Sequence, residues 1–153
     1  MADKTTSRIT IAAPRAAVMD IIADFARYPQ WASGVRAAAV VEPEDREPHA
    51  AGRPARPARV RFTLDAGMIR DTYVLGYQWD GDAQVRWTLA EPGSMVSAMS
   101  GAYLLDESAA GTDVTYELAV GIRVPMPGML KRRAEKTIID TALKGLRSRA
   151  ERA

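Results

Sequence analysis

Period-two alternation of apolar and polar residues runs through five consecutive segments of this chain, and one long segment of helical period follows them. Val60, Phe62 and Leu64 alternate with Arg59, Arg61, Thr63 and Asp65. Between Met68 and Trp79 one face carries Ile69, Asp71, Tyr73, Leu75, Tyr77 and Trp79, and the other carries Met68, Arg70, Thr72, Val74, Gly76 and Gln78. Val85, Trp87 and Leu89 alternate next, then Met95 to Leu105, then Val114, Tyr116, Leu118, Val120 and Ile122. The joints are turn-formers: Ala66-Gly67, Asp80-Gly81-Asp82, Glu91-Pro92-Gly93 and Ala109-Ala110-Gly111-Thr112. Strands alternate with period two because successive side chains point to opposite faces, so this stretch reads as an antiparallel meander with one buried face.

The segments that flank the meander complete the plan. Thr5 to Ile11 alternates as a first strand. Pro14 opens a helix of about 13 residues, on which Val18, Ile21, Ile22 and Phe25 recur at helical spacing. Tyr28-Pro29 ends it, because a residue before Pro avoids the helical region, and Gln30-Trp31 forms a short turn that carries an aromatic plug. Val35 to Val41 reads as a second strand. Glu42 to Pro57 holds four Pro and one Gly among mixed charges, which makes it a long loop, either a hairpin tip or a lid over a pocket. After Val124-Pro125-Met126-Pro127-Gly128 comes a helix from Met129 to near Arg152, with Leu130, Ala134, Ile138, Ala142 and Leu146 every fourth residue.

Seven strands and one long terminal helix make an α+β layer plan in a single domain spanning residues 1–153. With a single long helix to cover its apolar face, the sheet must curl around that helix. A curled sheet gripping a helix leaves an interior in which small apolar ligands fit when the side chains do not fill it.

Composition removes several kinds of chemistry. The 153 residues include no Cys and one His, so thiol nucleophiles, Cys-ligated zinc and multi-His metal centres are absent from the repertoire. His49 lies in the Pro-rich loop, an exposed position. No Gly-rich phosphate cradle occurs, and the pattern calls for no cofactor. Net charge is +2, unevenly spread: Lys131 to Arg152 carries +5 and the remainder −3. Those helix charges are interrupted by acids, spread around the helix and lack interleaved aromatics, so nucleic acid is not an expected partner and a membrane contact has no clear support. No apolar run approaches a membrane span and the N-terminus lacks a secretory h-region, which leads to the expectation of a cytoplasmic protein.

Several stretches carry a family resemblance. Ala13-Pro14 at the start of the first helix, Asp24-Phe25-Ala26-Arg27-Tyr28-Pro29-Gln30-Trp31 at its close, Gly101-Ala102-Tyr103-Leu104-Leu105 ahead of Gly111-Thr112, and the terminal helix resemble the SRPBCC or START-like helix-grip superfamily. The branch is that of polyketide cyclase/dehydrase and coenzyme Q-binding proteins. The resemblance implies a curved seven-stranded antiparallel sheet around the C-terminal helix, with two short helices between strands one and two. It further implies a deep apolar cavity for a lipid, quinone or polyketide-like molecule.

Phe62, Leu64, Tyr73, Leu75, Trp87, Met99, Tyr103 and Tyr116 are then the expected strand walls, with Ile138, Ala142 and Leu146 from the helix. Asp71 shares the face of Tyr73 and Leu75, and a buried carboxylate is costly without a partner. It pairs with Arg61 or a backbone N–H, or sits at a bulge near the strand end, or serves as the polar anchor of the cavity. Two functions follow from this plan, beside a third reading in which the basic last helix serves a membrane-surface or partner-docking module. The first is a carrier for a small hydrophobic molecule; the second is an aromatase/cyclase acting on a poly-β-ketone chain, which would need an inward Arg. Alternation puts Arg61 and Arg70 on the polar face, and Arg123 at the exit of the last strand.

Overall fold

The computed structural model describes residues 4–32, 34–42, 56–65, 67 and 70–152. Seven strands form one antiparallel sheet: β1 (Thr5–Ile11), β2 (Val35–Glu42), β3 (Arg59–Asp65), β4 (Arg70–Asp80), β5 (Gln84–Glu91), β6 (Val96–Ser108) and β7 (Gly111–Ile122). Their order is β1-β7-β6-β5-β4-β3-β2, so β2 to β7 form an uninterrupted meander and β1 closes onto β7. Helix α1 (Arg15–Ala23) and a 3-10 helix (Phe25–Gln30) lie between β1 and β2, and α2 (Gly128–Arg152) ends the chain. This is the α+β helix-grip arrangement, with the sheet curved around the long helix.

The first helix is shorter than its apolar spacing suggests. At Asp24 the backbone leaves the helical region (φ −87°, ψ 73°) and its N–H turns back to the Ile21 carbonyl, so the chain tightens into the 3-10 helix that accommodates Pro29. Phe25, Tyr28 and Trp31 are thereby buried, with Tyr28 stacked on Phe25 (4.8 Å) and tilted against Trp31 (4.6 Å). Gly145 is the counterpart on α2. A Cβ there would overlap the Trp31 carbonyl, so only glycine lets the helix backbone rest on this turn.

Helix α2 packs on β1, β7 and α1, at one side of the sheet. Its buried residues Ala134, Ile139, Ala142, Leu143 and Leu146 follow the helical period. The strands on the far side pack less closely on the helix, and space remains between them. Arg56, at the end of the long loop, is buried. It pairs with Asp20 of α1 (3.2 Å) and Asp82 of the β4–β5 turn (3.0 Å), and its guanidinium lies 5.3 Å from the Trp79 ring. His49, Met68, Ile69 and the lid assigned to the long loop lie outside the described residues, apart from Glu42, which ends β2, and the loop's last two positions.

Candidate functional site

A cavity of about 390 Å³ lies between the sheet and α2. Phe62 and Leu64 of β3, Tyr73, Leu75 and Tyr77 of β4, Trp87 of β5, Met99 and Tyr103 of β6, and Tyr116 and Leu118 of β7 form its floor and walls. These are the inward positions of each strand, and the cross-strand register brings them together: Phe62 faces Tyr73, Tyr77 faces Trp87 and Tyr103 faces Tyr116. Tyr103 and Tyr116 have ring centroids 4.5 Å apart, and Trp87 lies 5.5 Å from the first and 5.7 Å from the second. Thr137, Ile138, Thr141 and Ala142 supply the roof from α2. Gly34, Val35, Asp65, Thr137 and Thr141 are the more exposed lining residues, which puts the mouth between the ends of β2 and β3 and the helix.

Ten of the sequence-predicted wall residues meet in this one lining: Phe62, Leu64, Tyr73, Leu75, Trp87, Met99, Tyr103, Tyr116, Ile138 and Ala142. Leu146 does not contribute, because it is sealed in the core between helix and sheet. Asp71 also lies outside the lining. Its carboxylate accepts hydrogen bonds from the backbone N–H groups of Thr72 (2.9 Å), Ser94 (3.0 Å), Met95 (2.8 Å) and Val96 (2.7 Å), and from the Ser94 hydroxyl (3.1 Å). Burial pushes this carboxyl up, but the donors of Val96, Met95, Thr72 and Ser94 outweigh it and hold it below the usual carboxylate range. The residue is a clamp on the β5–β6 turn. Gly93 leaves room for it, since a Cβ there would overlap the carboxylate.

The cavity walls hold no guanidinium or ammonium among the described residues. Arg61 is exposed, and Arg70 is exposed and pairs with Asp65 (3.1 Å). Asp65 is the only acid of the lining among the described residues, at the mouth, where the Arg36 guanidinium (3.0 Å) holds its carboxyl below the usual range. The polar groups inside are phenols. Burial pushes the hydroxyls of Tyr73, Tyr77, Tyr103 and Tyr116 well above the usual tyrosine value, so at neutral pH they are protonated donors. Tyr28 is raised likewise by burial, but its hydroxyl donates to the Ile22 carbonyl (2.6 Å) and is committed to the fold.

Glu135, like Arg56, is a buried charged residue that the sequence reading did not single out. It is fully buried on α2: one carboxyl oxygen accepts from the Thr5 hydroxyl (2.7 Å) and the other from the Val120 N–H (2.8 Å). Val120 pairs with Met99 of β6 and lies two residues past the last β1–β7 pair, Thr5–Leu118, and Glu135 accepts its N–H there. The signal was its helical position beside Ala134, obscured by the charge run around it.

The comparisons with known proteins fit this geometry. A family model described as polyketide cyclase/dehydrase and lipid transport matches residues 2–151. The chain belongs to that family. Among solved structures, a START superfamily protein from Mycobacterium smegmatis is similar, with a TM-score of 0.84 at 16% identity over 97% of both chains. The Zhui aromatase/cyclase from Streptomyces sp. R1128 is similar with a TM-score of 0.75 at 17% identity, over 99% of this chain and 95% of that one. A protein from Thermus thermophilus aligns with a TM-score of 0.75 at 21% identity over 97% of both. At such identities the likeness establishes the shared START-like fold of this family member. No curated protein matches the chain. No helix among the described residues is long and apolar enough to cross a membrane.

Proposed function

We propose that this family member binds and carries a small, uncharged hydrophobic molecule of the lipid, quinone or polyketide-like class. The observation that carries this reading is the cavity of about 390 Å³ walled by aromatic and aliphatic side chains. Its size is within the range that holds a small organic ligand, and removing apolar surface from water supplies the affinity. A charged ligand would lose its hydration with no interior counter-charge to replace it. The protonated phenols of Tyr73, Tyr77 and Tyr116 can donate to a carbonyl or quinone oxygen and so orient the molecule, while the Tyr103 hydroxyl is hydrogen-bonded to that of Tyr116.

Fluorescence tests this directly, because Trp87 belongs to the lining and reports occupancy. The neutral fluorophore N-phenyl-1-naphthylamine is expected to quench or accept from Trp87, and Ala142→Leu, which fills the space under α2, should weaken its binding more than tenfold while the protein stays folded. Unchanged binding in that variant would refute the cavity as the site. Native mass spectrometry of the purified protein, followed by solvent extraction, then identifies any resident compound.

The aromatase/cyclase alternative draws support from the similar Zhui enzyme and from the same phenols, which could polarise a ketone. Against it stands the outward placement of Arg61 and Arg70. Turnover of a poly-β-ketone substrate, lost in Tyr103→Phe, would favour it. Tight binding of that substrate without turnover would favour the carrier.

A further inference from the structure

We infer that the corner joining β7 to α2 docks on an anionic lipid surface. Val124 is 55% exposed and Met129 is 69% exposed, and both are large apolar residues presented to water at the same corner. Arg123 immediately precedes Val124, and Lys131, Arg132 and Arg133 follow Met129. Met129 and Arg133 stand at i and i+4 on α2, on a helix face away from the buried Ala134, Glu135 and Ala142, and Arg132 is exposed between that face and Ile139.

Three of these four cations, Arg123, Lys131 and Arg133, make no ion pair among the described residues. The last two also stand in the first two turns of a helix with no acid in its first turn, where the helix dipole disfavours positive charge. Further along α2, Lys136 bridges to Asp140 (3.0 Å) and Arg149 donates to Gln30 (2.7 Å), while Lys144 and Arg147, like the corner cations, make no ion pair among the described residues but have no exposed large apolar residue beside them. An exposed apolar tip with the cations Arg123, Lys131 and Arg133 near it in sequence, none of them in an ion pair among the described residues, matches the two requirements of a peripheral membrane contact, insertion of apolar groups and attraction to anionic headgroups.

The corner also lies at the mouth end of the cavity. Arg123 donates its N–H to Met95 of the β5–β6 turn (2.8 Å), Asp71 joins that turn to the start of β4, and β4 begins opposite Asp65 at the mouth. Along α2, Lys131 precedes the lining residue Thr137 by six residues, about 9 Å at the helical rise. A bilayer that receives the corner is therefore close to the opening.

The test uses the full chain and vesicles with no added ligand, so its failure leaves the cavity reading standing. Co-sedimentation with phosphatidylcholine vesicles containing 30% phosphatidylserine at low salt should show binding that pure phosphatidylcholine does not, and that weakens as salt rises. Arg123→Glu/Lys131→Glu/Arg133→Glu should weaken it at least a hundredfold, since each base near such a surface contributes about fivefold. Met129→Ser alone should weaken it about tenfold through lost insertion. The control Lys144→Glu/Arg147→Glu alters the same helix some 16 Å or more further along and should leave binding within about twofold. Circular dichroism and thermal unfolding confirm that each variant is folded. Absence of binding to the anionic vesicles, an equal loss in the control, or tighter binding to duplex DNA than to vesicles at the same salt would each overturn the inference.

Discussion

Replacing Glu135 by alanine should cost this protein about 3 kcal/mol. In the folded state the side chain takes up the N–H of Val120, which β1 does not reach, and the hydroxyl of Thr5, and it is fully shielded from water. Alanine leaves the Val120 N–H buried without an acceptor, a penalty of about 2 kcal/mol. Loss of the Thr5 contact and of the packed methylene adds about 1 kcal/mol more. Glutamine behaves differently, since its carbonyl can accept from Val120 and its amide can donate to the Thr5 oxygen, so Glu135→Gln should cost about 1 kcal/mol. In a domain of this size 3 kcal/mol corresponds to about 9 °C in Tm. Urea unfolding followed by Trp fluorescence gives the equilibrium values, and hydrogen exchange at the Val120 amide reports the contact itself. The reasoning fails if Glu135→Ala lies within about 1 kcal/mol of the parent, or if glutamine proves as costly as alanine.

Two pH effects follow from the same structure. Because the Asp71 carboxyl is held below its unfolded value, its contribution is present above about pH 4 and is lost as pH falls through the lower folded value; Asp71→Asn should cost about 2 kcal/mol at neutral pH and flatten the acid limb of the stability curve. A flat difference between the two proteins from pH 6 to pH 2 would contradict this. The buried tyrosines act in the opposite direction: burial raises Tyr28, Tyr73, Tyr77, Tyr103 and Tyr116, so the stability tied to their protonated form is intact below about pH 10 and is lost as pH rises beyond it. Absorbance at about 295 nm should then show these tyrosines ionising together with unfolding, and their free titration near pH 10 in the folded protein would refute it.

Much of this could be read before any coordinates, and the reason is periodicity. Phe62, Leu64, Tyr73, Leu75, Trp87, Tyr103 and Tyr116 stand at alternate positions of their strands, and Ile138 and Ala142 at i and i+4 of the helix, so local geometry alone assigns each to the inward side. Alternation gives a side and says nothing of depth. Asp71 shares the side of Tyr73, yet it stands at the end of β4 beside the N–H groups of residues 94–96, a neighbourhood made by a turn 23 residues away in sequence. Glu135 was hidden for the same reason, since its partners come from β1 and β7.

Strand and helix types, their order and the facing of their side chains are therefore consequences of short-range pattern, because each depends on backbone geometry over a few residues. Whether the inward side chains close up or leave a cavity depends on how far α2 is held from β3, β4 and β5. That distance is set by contacts remote in sequence, the Gly145 approach to Trp31 and the Glu135 bonds to β1 and β7 among them. A wall residue and a packed core residue have the same chemistry, and the space between them exists only once the chain has closed around it.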